Sequence, residues 1–338
     1  MTDQAPSLKD AYASRFRVGA AVNAATVHTH AHLLARHFSS VTPENEMKWE
    51  RIHPAEDTYS FSAADQIVLF ARDHGMFVRG HTLVWHNQTP SWVFLDSLGQ
   101  PAPAKLVEAR LEQHIAEVVG HYRGAALCWD VVNEAVIDQG DGWLRPSPWR
   151  QALGDDYIEM AFRLAHQADP GALLFYNDYN ETKPDKRDRI LRLLEHLLDR
   201  GVPVHGVGLQ MHVSLDDPPI EEMEEAIERY RALGLRLHVT ELDVSVYPWV
   251  HEPDRPQAPA RPYDDELAER LAARYEALFA LYLRHQDAID NVTLWGVADD
   301  STWRDDFPVK GRKDWPLLFD VHHRPKEAFW RVVRLAQN

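Results

Sequence analysis

The chain reads as an α/β protein closed into a single (β/α)8 (TIM) barrel, and three observations predict it. Eight short apolar segments alternate with longer amphipathic ones from end to end, and no two strand-like runs follow each other. The strand-like segments are almost continuously apolar, as in a parallel sheet buried on both faces. The length, 338 residues, suits such a barrel as one domain spanning 1–338, with no linker or internal repeat to divide it. A doubly wound open sheet satisfies the same alternation, and pattern alone leaves that alternative open.

In chain order the strands fall at about 16–22 (FRVGAAV), 37–42 (HFSSVT), 76–85 (MFVRGHTLVW) and 126–134 (ALCWDVVNE). Four more follow at about 172–177 (ALLFYN), 204–212 (VHGVGLQMH), 236–244 (RLHVTELDV) and 291–298 (NVTLWGVA). Between them, apolar residues at three- and four-residue spacing predict helices over 62–74, 104–122, 149–168, 185–200, 219–233, 263–286 and 326–336. An earlier helix is expected around His28, His30 and His32. The stretch 248–262 holds five prolines, which suit neither a helix nor a central strand, and reads as a long loop at the active face.

Composition narrows the function. Hydrophobic residues make up 45%, enough for one sizeable core. The net charge of −16 makes nucleic acid and anionic membranes poor partners and serves solubility. No run of 18 apolar residues occurs, so no transmembrane helix is expected. The start, MTDQAPSLKDAYASRF, has neither a basic segment nor an apolar one, so a cytoplasmic location is expected. The one cysteine, Cys128, permits no intramolecular disulfide and reads as a small core residue beside Trp129. Nothing in the sequence fixes an oligomeric state.

Two predicted strands end in glutamates, Glu134 in LCWDVVNEA and Glu241 in LRLHVTELD. A carboxylate at the end of a buried strand sits where desolvation and neighbours tune its pKa. Two of them facing each other across a barrel mouth are what retaining glycoside hydrolysis requires. Strands alternate faces with a period of two, so Gln210 and His212 share a face, as do Glu241 and Asp243. With both pairs inward, His212 would hold Glu241 oriented and ionised. Asn133 could donate to a sugar 2-hydroxyl. Trp85, Trp295 and Trp303 offer flat faces for sugar rings, and Glu44, Asn45, Lys48 and Gln88 could grip hydroxyls.

The motifs TPENEMKW, GHTLVWH, WDVVNEA, NDYN, QMH, TELD and WGVADDSTW occur in that order. Together they resemble glycoside hydrolase family 10, the retaining endo-β-1,4-xylanases, from roughly Val18 to Trp330. The resemblance implies a cofactor-free barrel that hydrolyses xylan and xylo-oligosaccharides by double displacement. It implies Glu134 as acid/base, Glu241 as nucleophile, and His212 and Asp243 as the nucleophile's supports. Glu44, Asn45, Lys48, His81, Trp85, Gln88, Asn133, Gln210, Trp295 and Trp303 fall on sugar-binding positions, and Tyr179 on the leaving-group side. The missing signal segment suggests the intracellular branch, which acts on short imported xylo-oligosaccharides.

Blander readings stand beside these. A lone strand-end glutamate is more often a cap or a surface residue; the pair, with Asn133 and His212, is what changes that. The 19 histidines raise the question of a metal. However, His28, His30 and His32 alternate within a helical segment, where such spacing parts the side chains, and His322 and His323 are merely adjacent. No metal site is expected. Trp92 and Trp143 read equally as sugar platforms or packing anchors, and the acidic run 221–228 as a solvated helix face. The rivals are another barrel glycosidase such as a β-1,4-glucanase, a non-catalytic sugar-binding protein, and a metal-dependent hydrolase.

Overall fold

The computed structural model describes residues 5–248 and 258–337. Its strands are β1 (Arg17–Val22), β2 (Ser40–Pro43), β3 (Phe77–Trp85), β4 (Ala126–Asn133), β5 (Leu173–Asp178), β6 (Gly206–Leu209), β7 (His212–Ser214), β8 (Arg236–Ser245) and β9 (Ile289–Leu294). β1 to β6 pair in parallel in sequence order, β6 pairs with β8, β8 with β9, and β9 returns to β1. The sheet is therefore a closed eight-stranded barrel, which overturns the open-sheet alternative. The short β7 pairs with the end of β8 alone, setting His212 opposite Asp243.

The helices are α1 (Leu8–Ala11), α2 (Thr26–Thr29), α3 (Ala31–His37), α4 (Trp49–Ile52), α5 (Ser62–Asp73), α6 (Ala104–His121), α7 (Pro148–Leu153), α8 (Tyr157–Ala168), α9 (Pro184–Asp199), α10 (Ile220–Arg231), α11 (Asp265–Arg284) and α12 (Glu327–Ala336). The longest, α11, shows the logic. Asp264 caps it by accepting from Leu267 N, and Leu267, Leu271, Tyr275, Leu278 and Tyr282 turn inward at helical spacing. Each such side chain, fully buried, contributes roughly 1.5–3 kcal/mol. No described helix is long and apolar enough to cross a membrane.

Several boundaries differ from the sequence reading, each for a local reason. The helix expected over 149–168 is two, because Gly154 takes φ +73° and ends α7. The strand expected over 204–212 breaks after Leu209, where Met211 takes φ +55°. The last strand starts at Ile289 and stops at Leu294, just before Gly296 at φ +141°. The first helix is split at His30 into α2 and α3, and α3 runs through His37, so β2 starts only at Ser40.

Trp92 and Trp143 are packing anchors. Trp92 donates to Pro54 O and edges onto Trp49, and Trp143 lies under Arg192. In the acidic run, Met223, Ala226 and Ile227 face inward while the glutamates stay at the surface. Cys128 is fully buried in β4. The proline-rich stretch 248–262 falls mostly outside the described residues.

Polar groups thread the barrel interior toward its mouth. Arg79 donates to His238 and pairs at 2.7 Å with Asp130, and both members of that pair are completely buried. Asp130 also bonds Nδ1 of His81 at 2.9 Å, which fixes the His81 ring near the mouth. The Arg79 guanidinium, with help from His81, outweighs burial and holds the Asp130 carboxyl down at about 2. One glycine makes room at the same level: a Cβ on Gly208 would lie 2.2 Å from Asn177 Oδ1.

Candidate active site

Three strand pairs lose register just below the mouth, close to residues of interest. β3 and β4 slip between His81 and Val84, β4 and β5 between Asp130 and Val132, and β8 and β9 between Val239 and Leu242. Bulges of this kind bend a strand and re-aim its side chains. Beyond them lie Trp85 and Asn133 at their strand ends and Glu134 one residue on; Glu241 sits within the third. Glu134 has φ +57°, and Gln88, Asn180 and Met211 also take left-handed backbone at this rim. Such conformations cost about 1–3 kcal/mol each and gather where geometry serves function.

The mouth opens into a cleft of about 690 Å³. Glu134 and Glu241 line it together with Glu44, Asn45, Lys48, His81 and Trp85. Gln88, Asn133, Tyr179, Gln210, His212, Trp295 and Trp303 complete the set of sequence-predicted residues along its walls. Asp243 alone lies behind the surface, bonded to groups that face the cleft. Gln210 and His212 do share the cleft, but across the strand break at Met211 rather than along one continuous strand.

One hydrogen-bond chain joins the two glutamates. Gln210 Nε2 donates to Glu134 Oε1 at 3.1 Å and to Asn133 Oδ1 at 3.3 Å. Asn177 Nδ2 donates to the same Asn133 oxygen at 2.8 Å and to Glu241 Oε1 at 2.8 Å. Trp85 Nε1 donates to the other Glu134 oxygen at 2.9 Å. On the far side His212 Nε2 lies 3.2 Å from Glu241 Oε2, and its Nδ1 lies 3.0 Å from Asp243. Arg304 and the Trp303 indole N–H hold Asp243 in turn, both at 2.7 Å.

The environments drive the two carboxyls apart. Burial raises the Glu134 carboxyl above its ordinary range, and the charges of Asp178 and Glu241 push the same way against donors from Gln210 and Trp85. Burial would raise Glu241 too, but His212, His81 and Asn177 outweigh it and hold that carboxyl low. The pair thus offers one group able to carry a proton beside one kept ionised. Lys48 sits 4.8 Å over the Trp85 ring, and burial draws its ammonium below the usual lysine range.

His212 carries a pH dependence. Burial works to lower it, but Asp243 and Glu241 together raise it to about 9 from an ordinary 6.5. The folded state therefore holds this proton after the unfolded chain has lost it. Its contribution, on the order of 3 kcal/mol, is complete below pH ~6.5 and lost as pH rises to ~9. Thermal melts of the wild type should show that decline, and His212→Asn should flatten it; equal slopes in the two proteins would refute the linkage.

The structure adds residues that the sequence reading did not select. Asn177, part of the NDYN motif but given no role there, bridges toward Glu241, and Arg304, next to Trp303, clamps Asp243. Arg145 donates to Glu134 O at 2.9 Å and to the Tyr179 hydroxyl at 3.0 Å. His86, Asn87, Asn180, Phe307 and Pro308 complete the wall, and Phe307 stacks on Trp303 with centroids 5.1 Å apart. The motifs supplied a signal for Asn177; the loop carrying Phe307 and Pro308 has no pattern that would mark it.

Comparison with known proteins gives consistent relatives. The family model described as Glycosyl hydrolase family 10 matches residues 7–335. An endo-1,4-beta-xylanase of Geobacillus stearothermophilus is 51% identical over 99% of this chain and 100% of its own length. A beta-1,4-xylanase of Dictyoglomus thermophilum is 47% identical over 97% of this chain and 91% of its own. Among solved structures, xylanase XynB from Paenibacillus barcinonensis, complexed with a conduramine derivative, superposes with a TM-score of 0.94. It is 50% identical and covered over 98% of each chain.

Proposed function

The chain belongs to glycosyl hydrolase family 10, and from that premise we propose that it is an endo-1,4-β-xylanase acting with retention at the anomeric carbon. The observation that carries this reading is the bonded chain Glu134–Gln210–Asn133–Asn177–Glu241, with its ends tuned in opposite directions. Glu241, kept ionised by the His212 imidazolium, attacks the anomeric carbon while Glu134 gives its proton to the leaving oxygen. The glycosyl ester on Glu241 no longer bears a charge, so one of the repulsions raising Glu134 disappears. Glu134, now a carboxylate, takes a proton from water, which attacks the same carbon and frees Glu241. Direct capture of the sugar asks for carboxyl groups about 5–5.5 Å apart.

Around this pair, Asn133 would donate to the sugar 2-hydroxyl, and Glu44, Asn45, Lys48, His81 and Gln88 would bind hydroxyls. Trp85, Trp295 and Trp303 would carry ring faces, with Tyr179 on the leaving-group side. Trp303 is held by both Asp243 and Phe307, so a hydroxymethyl group beside it would have to displace a fixed assembly. That favours pentose over hexose chains. A cleft of about 690 Å³ is of the size that encloses drug-sized ligands, which suits short xylo-oligosaccharides.

Proton NMR of fresh xylohexaose digests should show the β-anomer of the new reducing end before mutarotation. Turnover of xylohexaose should exceed that of cellohexaose by on the order of 10²-fold. An α-anomer appearing first would sink the retaining mechanism, and parity between the two oligosaccharides would sink the xylan assignment. Turnover of polymeric xylan matching that of xylohexaose would overturn the preference for short chains.

A further inference from the structure

Outside the reacting pair, three segments remote in sequence bring together two imidazoles and a carboxylate. His30 sits at the junction of α2 and α3, Asp300 in the loop after β9, and His323 in the turn before α12. Asp300 Oδ1 lies 3.0 Å from His30 Nε2, and its Oδ2 lies 3.1 Å from His323 Nε2. The two imidazole centroids are 4.1 Å apart. One donor atom from each residue can be chosen so that all lie within 4.8 Å of one another, and among the described residues this is the one such group. We propose that His30, Asp300 and His323 form a site for a single zinc-class divalent ion.

The chemistry of the donors supports this. Two imidazoles and one carboxylate are a zinc ligand set, and an open fourth position takes water. His30 is buried, whereas the Asp300 and His323 side chains remain 35% and 33% exposed, so an ion has a route in and a solvent-facing side. Thr29 Oγ1 donates to Ala25 O and lies 2.8 Å from His30 Nδ1. With its hydrogen on Ala25, that hydroxyl accepts Nδ1–H from His30, leaving Nε2 to face the Asp300 carboxylate. Two lone pairs at 3.0 Å repel unless a cation lies between them, and a proton or a metal ion fills that role. An outer-shell bond of this kind fixes the tautomer of a metal-binding histidine.

The frame is also prearranged. Asp299, next to Asp300, pairs at 2.8 Å with the buried Lys326, three residues after His323. Asp320 holds the turn by accepting from the N–H groups of His322 and Arg324. Tetrahedral coordination at zinc distances puts ligand atoms about 3.3 Å apart. His30 Nε2 and the Asp300 oxygen beside it need little adjustment, while the partly exposed His323, which meets the other carboxylate oxygen, rotates to bring in the third ligand. A bound ion would fasten the start of the chain, the Trp303-bearing loop and the C-terminal turn to one another. The role is a clip, not a catalyst.

The test uses chelator-treated full-length protein titrated with zinc chloride by calorimetry, with cobalt(II) absorption as a second probe. One zinc per chain should bind and raise Tm by about 4 °C at a hundredfold excess over Kd. His323→Ala and Asp300→Asn should each weaken binding by about 100-fold and remove the visible cobalt bands. Thr29→Val should weaken it by about 10-fold. Turnover of xylohexaose by His323→Ala should match the wild type. Absence of a zinc-dependent rise in Tm, or undiminished binding in His323→Ala, would overturn the proposal, the latter by placing the ion on other histidines. His323 is partly exposed, so its variant remains decisive should a His30 variant fail to fold.

Discussion

Replacing Glu241 with alanine is expected to abolish turnover on every glycoside, with kcat falling by about 10⁴-fold or more. On the proposed mechanism the carboxylate removed is the one that bonds to the anomeric carbon, and a more acidic leaving group does not replace a missing nucleophile. The surroundings should survive, because Asp243 keeps both Arg304 and Trp303 and continues to hold His212. Glu241→Gln should be equally inactive while keeping an acceptor for Asn177. Steady-state rates on xylohexaose and on an aryl xyloside check this, alongside a melting curve showing the variant folded. A loss under tenfold would mean that another group attacks the sugar.

Glu134→Ala should behave differently, and the contrast separates the two roles. On xylohexaose the poor leaving group needs a proton, and kcat should drop by about 10²–10⁴-fold. On an aryl xyloside with an acidic phenol, formation of the glycosyl-enzyme should proceed nearly unimpaired. Its breakdown then lacks a base, so added azide, which needs none, should speed turnover and yield β-xylosyl azide. Analysis of the azide product reads stereochemistry and role together. Equal inactivation on both substrates, with no azide product, would reverse the assignment of Glu134.

The sequence made the barrel legible because burial of a parallel sheet writes long apolar runs, and because chemistry at strand ends interrupts them with polar residues. Glu134, Asn133 and Glu241 were marked by those interruptions alone. What stayed hidden depends on backbone detail or on contacts between distant segments. Period-two alternation put Gln210 and His212 on one face, yet the strand breaks between them and β7 pairs separately, opposite Asp243. The clamp of Arg304 and Trp303 on Asp243 arises from how one loop folds back. The histidines teach the same lesson: neighbours along the chain were uninformative, while His30 finds its partners near the other end of the sequence.

The single cysteine has a practical consequence. Cys128 lies on the strand that leads to Glu134, and burial pushes its thiol up to about 12. Reagents that trap thiolates have no path to it while the strand is in place. Alkylation must wait for that wall to part, so its rate clocks native-state breathing with no foreign dye or added label.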